Sequence, residues 1–143
     1  MLEAMGRWSV QWLYDDFRED VEATTLMWWM HRRVDEERLP PGRVIVEFDH
    51  TEPVAIKIWL VLDRGEASVC MQHPGPDPDL VVRTTTPTLA RVFSGAERWS
   101  AVVAAGGIEV SGPPALVRKL PTWFLWSPWA DDVRARRGLE RAE

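Results

Sequence analysis

Between Arg43 and Met71 the chain reads RVIVEFDHTEPVAIKIWLVLDRGEASVCM, and this stretch decides the fold. From Arg43 the apolar period is two. Val44, Val46 and Phe48 alternate with Ile45 and Glu47, as in a strand whose side chains point to opposite sheet faces. Asp49-His50-Thr51-Glu52-Pro53 reads as a turn, and a longer strand then runs from Val54 to Leu62. Ile56, Ile58, Leu60 and Leu62 share one face of it, and Lys57, Trp59 and Val61 share the other. Asp63-Arg64-Gly65-Glu66 is a hairpin connection, because glycine tolerates the positive φ of such turns. Ala67 to Met71 forms the next strand, with Val69 and Met71 aligned. Beyond the proline-rich loop His73–Pro78, Leu80 to Arg83 is a fourth. Strands this close in sequence predict an antiparallel meander.

Helical periods bracket these strands. Met5, Trp8, Trp12 and Leu13 recur at helical spacing up to about Phe17. A second helix follows the capping pair Thr24-Thr25, with a seam of Leu26, Trp29, Met30, Arg33 and Val34, and Pro40-Pro41 ends it. After the fourth strand, Thr86-Pro87 opens a helix lined by Leu89, Val92 and Phe93 that Gly95 stops. Glu97 to Ala105 is a short helix with Trp99, Val102 and Val103; Ile108-Glu109-Val110 is a fifth strand; Gly112-Pro113-Pro114 begins a helix with Leu116, Val117 and Leu120. The expected architecture is α+β, a five-stranded, mainly antiparallel sheet covered by helices. Residues 1–40 form an N-terminal helical pair, 41–130 the sheet-and-helix domain, and 131–143 a charged tail.

Composition narrows the function. A formal net charge of −5 over 143 residues offers no electrostatic footprint for nucleic acid. No apolar run is long enough to span a bilayer. Met1 to Arg7 lacks the features of a signal peptide, and the single cysteine, Cys70, forms no internal disulfide, so the expected location is cytoplasmic. His31, His50 and His73 lack partners at metal-ligand spacing. Ser94-Gly95 and Ser111-Gly112 lack the hydrolase elbow, and Gly106-Gly107 lacks the residues of a phosphate loop. Neither a catalytic residue nor a metal or cofactor is expected.

From Asp79 the sequence resembles the sterol carrier protein type 2 domain. The residues that carry the likeness are DLVVRTTTPTLARVFSG (Asp79–Gly95) and AVVAAGGIEVSGPPALVRKL (Ala101–Leu120). In order they show a strand, a threonine-rich cap, a helix ending in glycine, a short helix, a glycine turn, a G-x-I-x-V-x-G strand and a closing helix. The chain also resembles the C-terminal domain of HxlR-type winged-helix transcription regulators. That likeness rests on AMGRW, LMWWMHRRVD, LPPGRVIVEF, IWLVLDRGEASVC, DLVV and GPPALVRKLPTWF followed by SPWA, again in order. In such regulators the GRW helix follows directly on the DNA-binding unit. With that unit absent, the expectation is an excised effector domain or a stand-alone relative.

The first resemblance implies a ligand held between the sheet and its covering helices. Carried over, the cover is Phe93, Trp99, Val103, Leu116 and Leu120, and the sheet wall is Ile58, Leu60 and Met71. Trp123, Phe124 and Trp126 close one end. Such a site is concave and mostly apolar; the alternative is that these side chains pack on one another and leave no room. The implied partner is a hydrophobic or amphipathic small molecule such as a lipid, a sterol-like compound or an acyl chain.

Nine tryptophans against one tyrosine suggest a second surface. Trp59, with Ala55 and Val61, lies on the sheet face away from that site and calls for a cover. The N-terminal helices, with Trp8, Trp12, Trp28 and Trp29, are the expected cover or a homodimer interface. Three readings stay open: a non-catalytic binding module, the effector and dimerisation half of a regulator, and an enzyme using an apolar chamber.

Overall fold

A computed structural model describes residues 22–126. The first expected helix, with Trp8 and Trp12, and the charged tail lie outside the described residues. The elements are α1 (Ala23–His31), β1 (Val44–His50), β2 (Ile56–Asp63), β3 (Glu66–Cys70), β4 (Leu80–Thr84), α2 (Thr86–Ser94), α3 (Trp99–Ala104), β5 (Ile108–Ser111), α4 (Pro114–Lys119) and a 3-10 turn (Leu120–Trp123). The five strands form one sheet in the order β3-β2-β1-β4-β5. The α+β architecture and the mostly antiparallel sheet are as expected.

One connection corrects the expected meander. β1, β2 and β3 pair as successive antiparallel neighbours, but β4 crosses back and pairs with β1 in parallel, Val46 opposite Leu80 and His50 opposite Thr84. Asp79 fixes the register of this crossover. Its backbone N–H donates to the Ile45 carbonyl at 2.8 Å, and its side-chain Oδ2 accepts from the Ile45 N–H at 2.8 Å. The central strand β1 is consequently buried on both faces, with Ile45 and Glu47 enclosed as well as Val44, Val46 and Phe48. That is the usual environment of a strand with a parallel neighbour.

The turns follow the local chemistry. Asp63 pairs with Glu66 across Arg64 and Gly65, both at positive φ, the geometry of a two-residue hairpin turn. In α2 the N-cap is Thr85, one residue earlier than expected; its hydroxyl accepts from the Thr88 N–H at 3.1 Å. Gly95 ends that helix in the left-handed conformation. Gly112 carries φ +147, and a Cβ there would stand 2.6 Å from the Asp79 carbonyl oxygen, a backbone atom that cannot swing aside. Gly112→Ala is expected to lower unfolding stability by about 1–3 kcal/mol through backbone strain. Urea denaturation of the two proteins checks it.

Helix α1 differs from its expectation in start, end and seam, closing at His31 well before Pro40-Pro41. It begins at Ala23, ahead of the Thr24-Thr25 pair, with Glu22 at its N-cap and no side-chain cap bond. Leu26, Met27 and Met30 are fully buried in the main core, whereas Trp28 and Trp29 are 54% and 39% exposed. This helix therefore packs on the Leu60 face of the sheet, beside β2, β3 and α2, and does not cover Trp59.

Candidate ligand-binding interior

Alternation along the strands places Val44, Val46, Phe48, Ile58, Leu60, Leu62, Leu80 and Val82 on one sheet face, all buried. Helix α2 lays Leu89, Ala90, Val92 and Phe93 on that face, and Leu120, Trp123 and Phe124 join the same cluster. Of the residues that the sequence assigned to the site, Ile58, Leu60, Phe93, Leu120, Trp123 and Phe124 come together in this buried core, while Trp99, Leu116 and Trp126 are partly buried against it. Two do not join. Met71 lies just past the end of β3 and is 47% exposed; Val103, on the outer side of α3, is 37% exposed. The alternation of β3 ends at Cys70, one residue short of Met71. In α3 only Val102 is buried, and its neighbour Val103 turns outward.

Trp123 is among the largest fully buried side chains and belongs to the packed interior. Its place is set by a short backbone ladder. The Asp35 N–H donates to the Trp123 carbonyl at 2.7 Å, the Leu125 N–H donates to the Arg33 carbonyl at 2.7 Å, and Val34 bridges Phe124. Arg33 Nε donates to the Trp126 carbonyl at 3.0 Å. The indole of Trp126 then rests 5.9 Å from Trp99 and 5.5 Å from the Phe124 ring, centre to centre, within the range of favourable aromatic pairing.

The cover over β5 is thin. Helices α3 and α4 have six residues each; Val102 is the single buried residue of α3, and α4 has none. Trp99, Leu116, Val117 and Trp126 nevertheless pack their apolar surface inward against the cluster.

Polar groups are also buried on this interior. His50 shares the parity of Val44, Val46 and Phe48 and is 2% exposed. Its Nδ1 lies 2.8 Å from the Thr86 hydroxyl, and its Nε2 is buried with no hydrogen-bond partner. Burial pushes its pKa down from 6.5 to about 4, against the opposing pull of Asp49, so the ring is neutral at pH 7. The alternation of β1 carried this signal; it was lost by ending the strand at Phe48.

The opposite sheet face carries a separate polar group. Trp59, expected to lie beneath the N-terminal helices or in a homodimer interface, is only 7% exposed. Its Nε1 donates to Glu47 Oε1 at 3.1 Å, and its ring meets His73 of the proline-rich loop edge-on at 5.4 Å. Among the described residues, that loop and Glu47 supply the polar and aromatic contacts of Trp59. Burial, then the hydrogen bond and charge of Asp49, push the Glu47 carboxyl above its ordinary value; Lys57 and the Trp59 indole oppose this. Among the described residues no group of three or more His, Cys, Asp or Glu side chains is arranged to hold a metal ion. No helix among them is long and apolar enough to cross a membrane.

Solved structures share this arrangement of strands and helices. The sec-alkylsulfatase Pisa1 from Pseudomonas sp. matches with a TM-score of 0.61 at 18% identity over 74% of this chain, which spans only 16% of that enzyme. The NMR structure of palmitated SCP2L2 from Aedes aegypti matches with a TM-score of 0.54 at 18% identity, over 70% of this chain and 91% of that one. At such identities the likeness is one of fold. No curated protein sequence matches the chain. The model of the SCP-2 sterol transfer family matches residues 31–124, which take in the whole sheet, α2 to α4 and the Trp123–Phe124 anchor. The chain belongs to the SCP-2 sterol transfer family.

Proposed function

We propose that this protein binds a hydrophobic or amphipathic small molecule, without catalysing its conversion, between the Ile58–Leu60 face of the sheet and the cover of α3, α4 and the Trp126 segment. The observation that carries the proposal is the half-buried state of that cover. Trp99, Leu116, Val117 and Trp126 turn apolar surface inward, yet none of them is fully enclosed. A guest inserted beneath them completes their burial. Short helices with few buried contacts belong to the low-stability end of a fold and open at small cost. Each ligand methylene removed from water contributes about 0.8 kcal/mol, offset in part by the cost of association. Family membership supports a lipid as the guest, and the neighbour solved in its palmitated form shows that a related fold is compatible with an acyl chain.

Trp99→Ala is expected to weaken ligand binding about tenfold while leaving the domain folded, since Trp99 is only partly buried. Native mass spectrometry of the purified protein, with and without added fatty acid or long-chain alcohol, tests the proposal. Retention of one lipid per chain supports it, and a protein that takes up neither contradicts it.

Trp28 and Trp29 favour a second reading, because their exposure gives α1 a large aromatic outer face. On this reading the domain is also an effector or dimerisation unit of the HxlR type. That relation rests on the sequence resemblance alone, as does cytoplasmic residence on the lone Cys70. A strictly monomeric chain in sedimentation at high concentration removes the dimer.

A further inference from the structure

The interior that faces the helices is almost wholly apolar, and His50 is its anomaly. The side chain is 2% exposed and stands on the core face at the end of β1, opposite Ile56 on β2 and Thr84 on β4. The Thr86 hydroxyl, itself 1% exposed, engages Nδ1 and fixes the ring. Nε2, across the ring, is buried without a partner. The nearby hydroxyls donate elsewhere: Thr84 Oγ1 to the Gly107 carbonyl at 2.8 Å, and Thr51 Oγ1 to the Thr84 carbonyl at 3.4 Å. Leaving a buried ring nitrogen unpaired costs about 1–3 kcal/mol, and native proteins seldom do so without a ligand, water or function to account for it.

We propose that Nε2 of His50 receives the hydroxyl group of an apolar alcohol whose hydrocarbon part lies between the sheet and the helices. This deepens the binding reading above and rests on it. A hydroxyl both donates and accepts, so it serves whichever tautomer the Thr86 contact selects. A carbonyl serves only one. A carboxylate suits the site poorly, because burial keeps the imidazole uncharged near neutral pH, and an unpaired buried anion is strongly disfavoured. His50 thus supplies the polar selectivity of an otherwise greasy site, while the chain length or ring system is read by shape.

The test uses the full chain with 15N-labelled histidine and three probes of equal chain length: 1-decanol, n-decane and decanoate. At pH 7 saturating 1-decanol is expected to shift the His50 Nε2 resonance, and n-decane to leave it in place. Decanoate is expected to bind about tenfold more weakly than 1-decanol. His50→Leu is expected to weaken 1-decanol binding about tenfold and n-decane binding less than about twofold. Should 1-decanol bind without moving the Nε2 resonance, a structural water satisfies the nitrogen and the inference falls while the binding reading stands. Equal affinity for decanoate also overturns it. If none of the probes binds the wild-type protein, the binding reading fails and takes this inference with it. The resonance shift is read on the wild-type protein, so the test survives a variant that does not fold.

Discussion

Trp123→Ala is expected to destabilise the protein by about 3–5 kcal/mol, the cost of emptying a large aromatic site in a packed core. Trp123 is 1% exposed and sits in the cluster that joins the sheet to α1 and α2. Its carbonyl also accepts the Asp35 N–H, so the indole and the backbone ladder hold one another in place. A domain of this size has a total stability of only about 5–15 kcal/mol. The variant should therefore show a much lower urea midpoint, or fail to accumulate as a folded species. A midpoint within about 0.5 kcal/mol of the wild type contradicts the placement of Trp123 in the core. Trp99→Ala provides the contrast, because its ring is only partly buried.

The second large effect is a loss of stability in mild acid. His50 has a folded pKa of about 4 against an ordinary 6.5. The unfolded chain takes up a proton first as pH falls, so stability that is fully present above pH 6.5 drains away down to about pH 4. A shift of this size corresponds to about 3 kcal/mol. Glu47 acts with the opposite sign. Its carboxyl is raised above 4.5, so its contribution is present below that value and is lost as pH rises through the folded pKa. Urea titrations at pH 7 and pH 4.5 should show the wild type weaker in acid. His50→Gln should shrink that difference, and Glu47→Gln should enlarge it. A stability difference between the two pH values that is the same in the wild type and in His50→Gln contradicts the burial of an uncharged His50.

The residues that were legible in the sequence share one property: their signal is local. The period of two in Val44–Phe48 and Ile56–Leu62 marks strands because alternation alone decides which side chains face inward. Thr85–Pro87 and Gly95 bound α2 through capping and left-handed geometry, both set within a few residues. The features that were missed depend on distant partners. Nothing in Leu80-Val81-Val82 says that its neighbour is β1 in parallel; the Asp79–Ile45 pair decides it across 34 positions. The partners of Trp59 likewise lie outside its own strand, Glu47 one strand away and His73 in a loop.

The site was legible in outline and less so in detail. Ile58, Leu60, Phe93 and Leu120 declare themselves by amphipathic period, and the fold brings them together. The tryptophans are ambiguous by nature, since an indole serves equally as core, cover or surface. Trp123 is core, Trp99 and Trp126 are cover, and Trp28 is outward. In α1 the flexible side chains of Met27 and Met30 are buried in the core cluster beside Leu26. The adjacent Trp28 and Trp29 are left facing out. His50 was lost because a turn-like pair of residues, Asp49-His50, hides the last turn of a strand's alternation.

The central claim is that a guest lies beneath α3 and α4, against the sheet. Isotope-filtered NOE spectroscopy on methyl-labelled protein with bound 1-decanol tests it most directly. Contacts from the alkyl chain to the methyl groups of Ile58, Leu60, Leu116 and Leu120 are the expected result. Contacts confined to the exposed Val54, Met71 and Leu125, with the interior methyl groups silent, would contradict it.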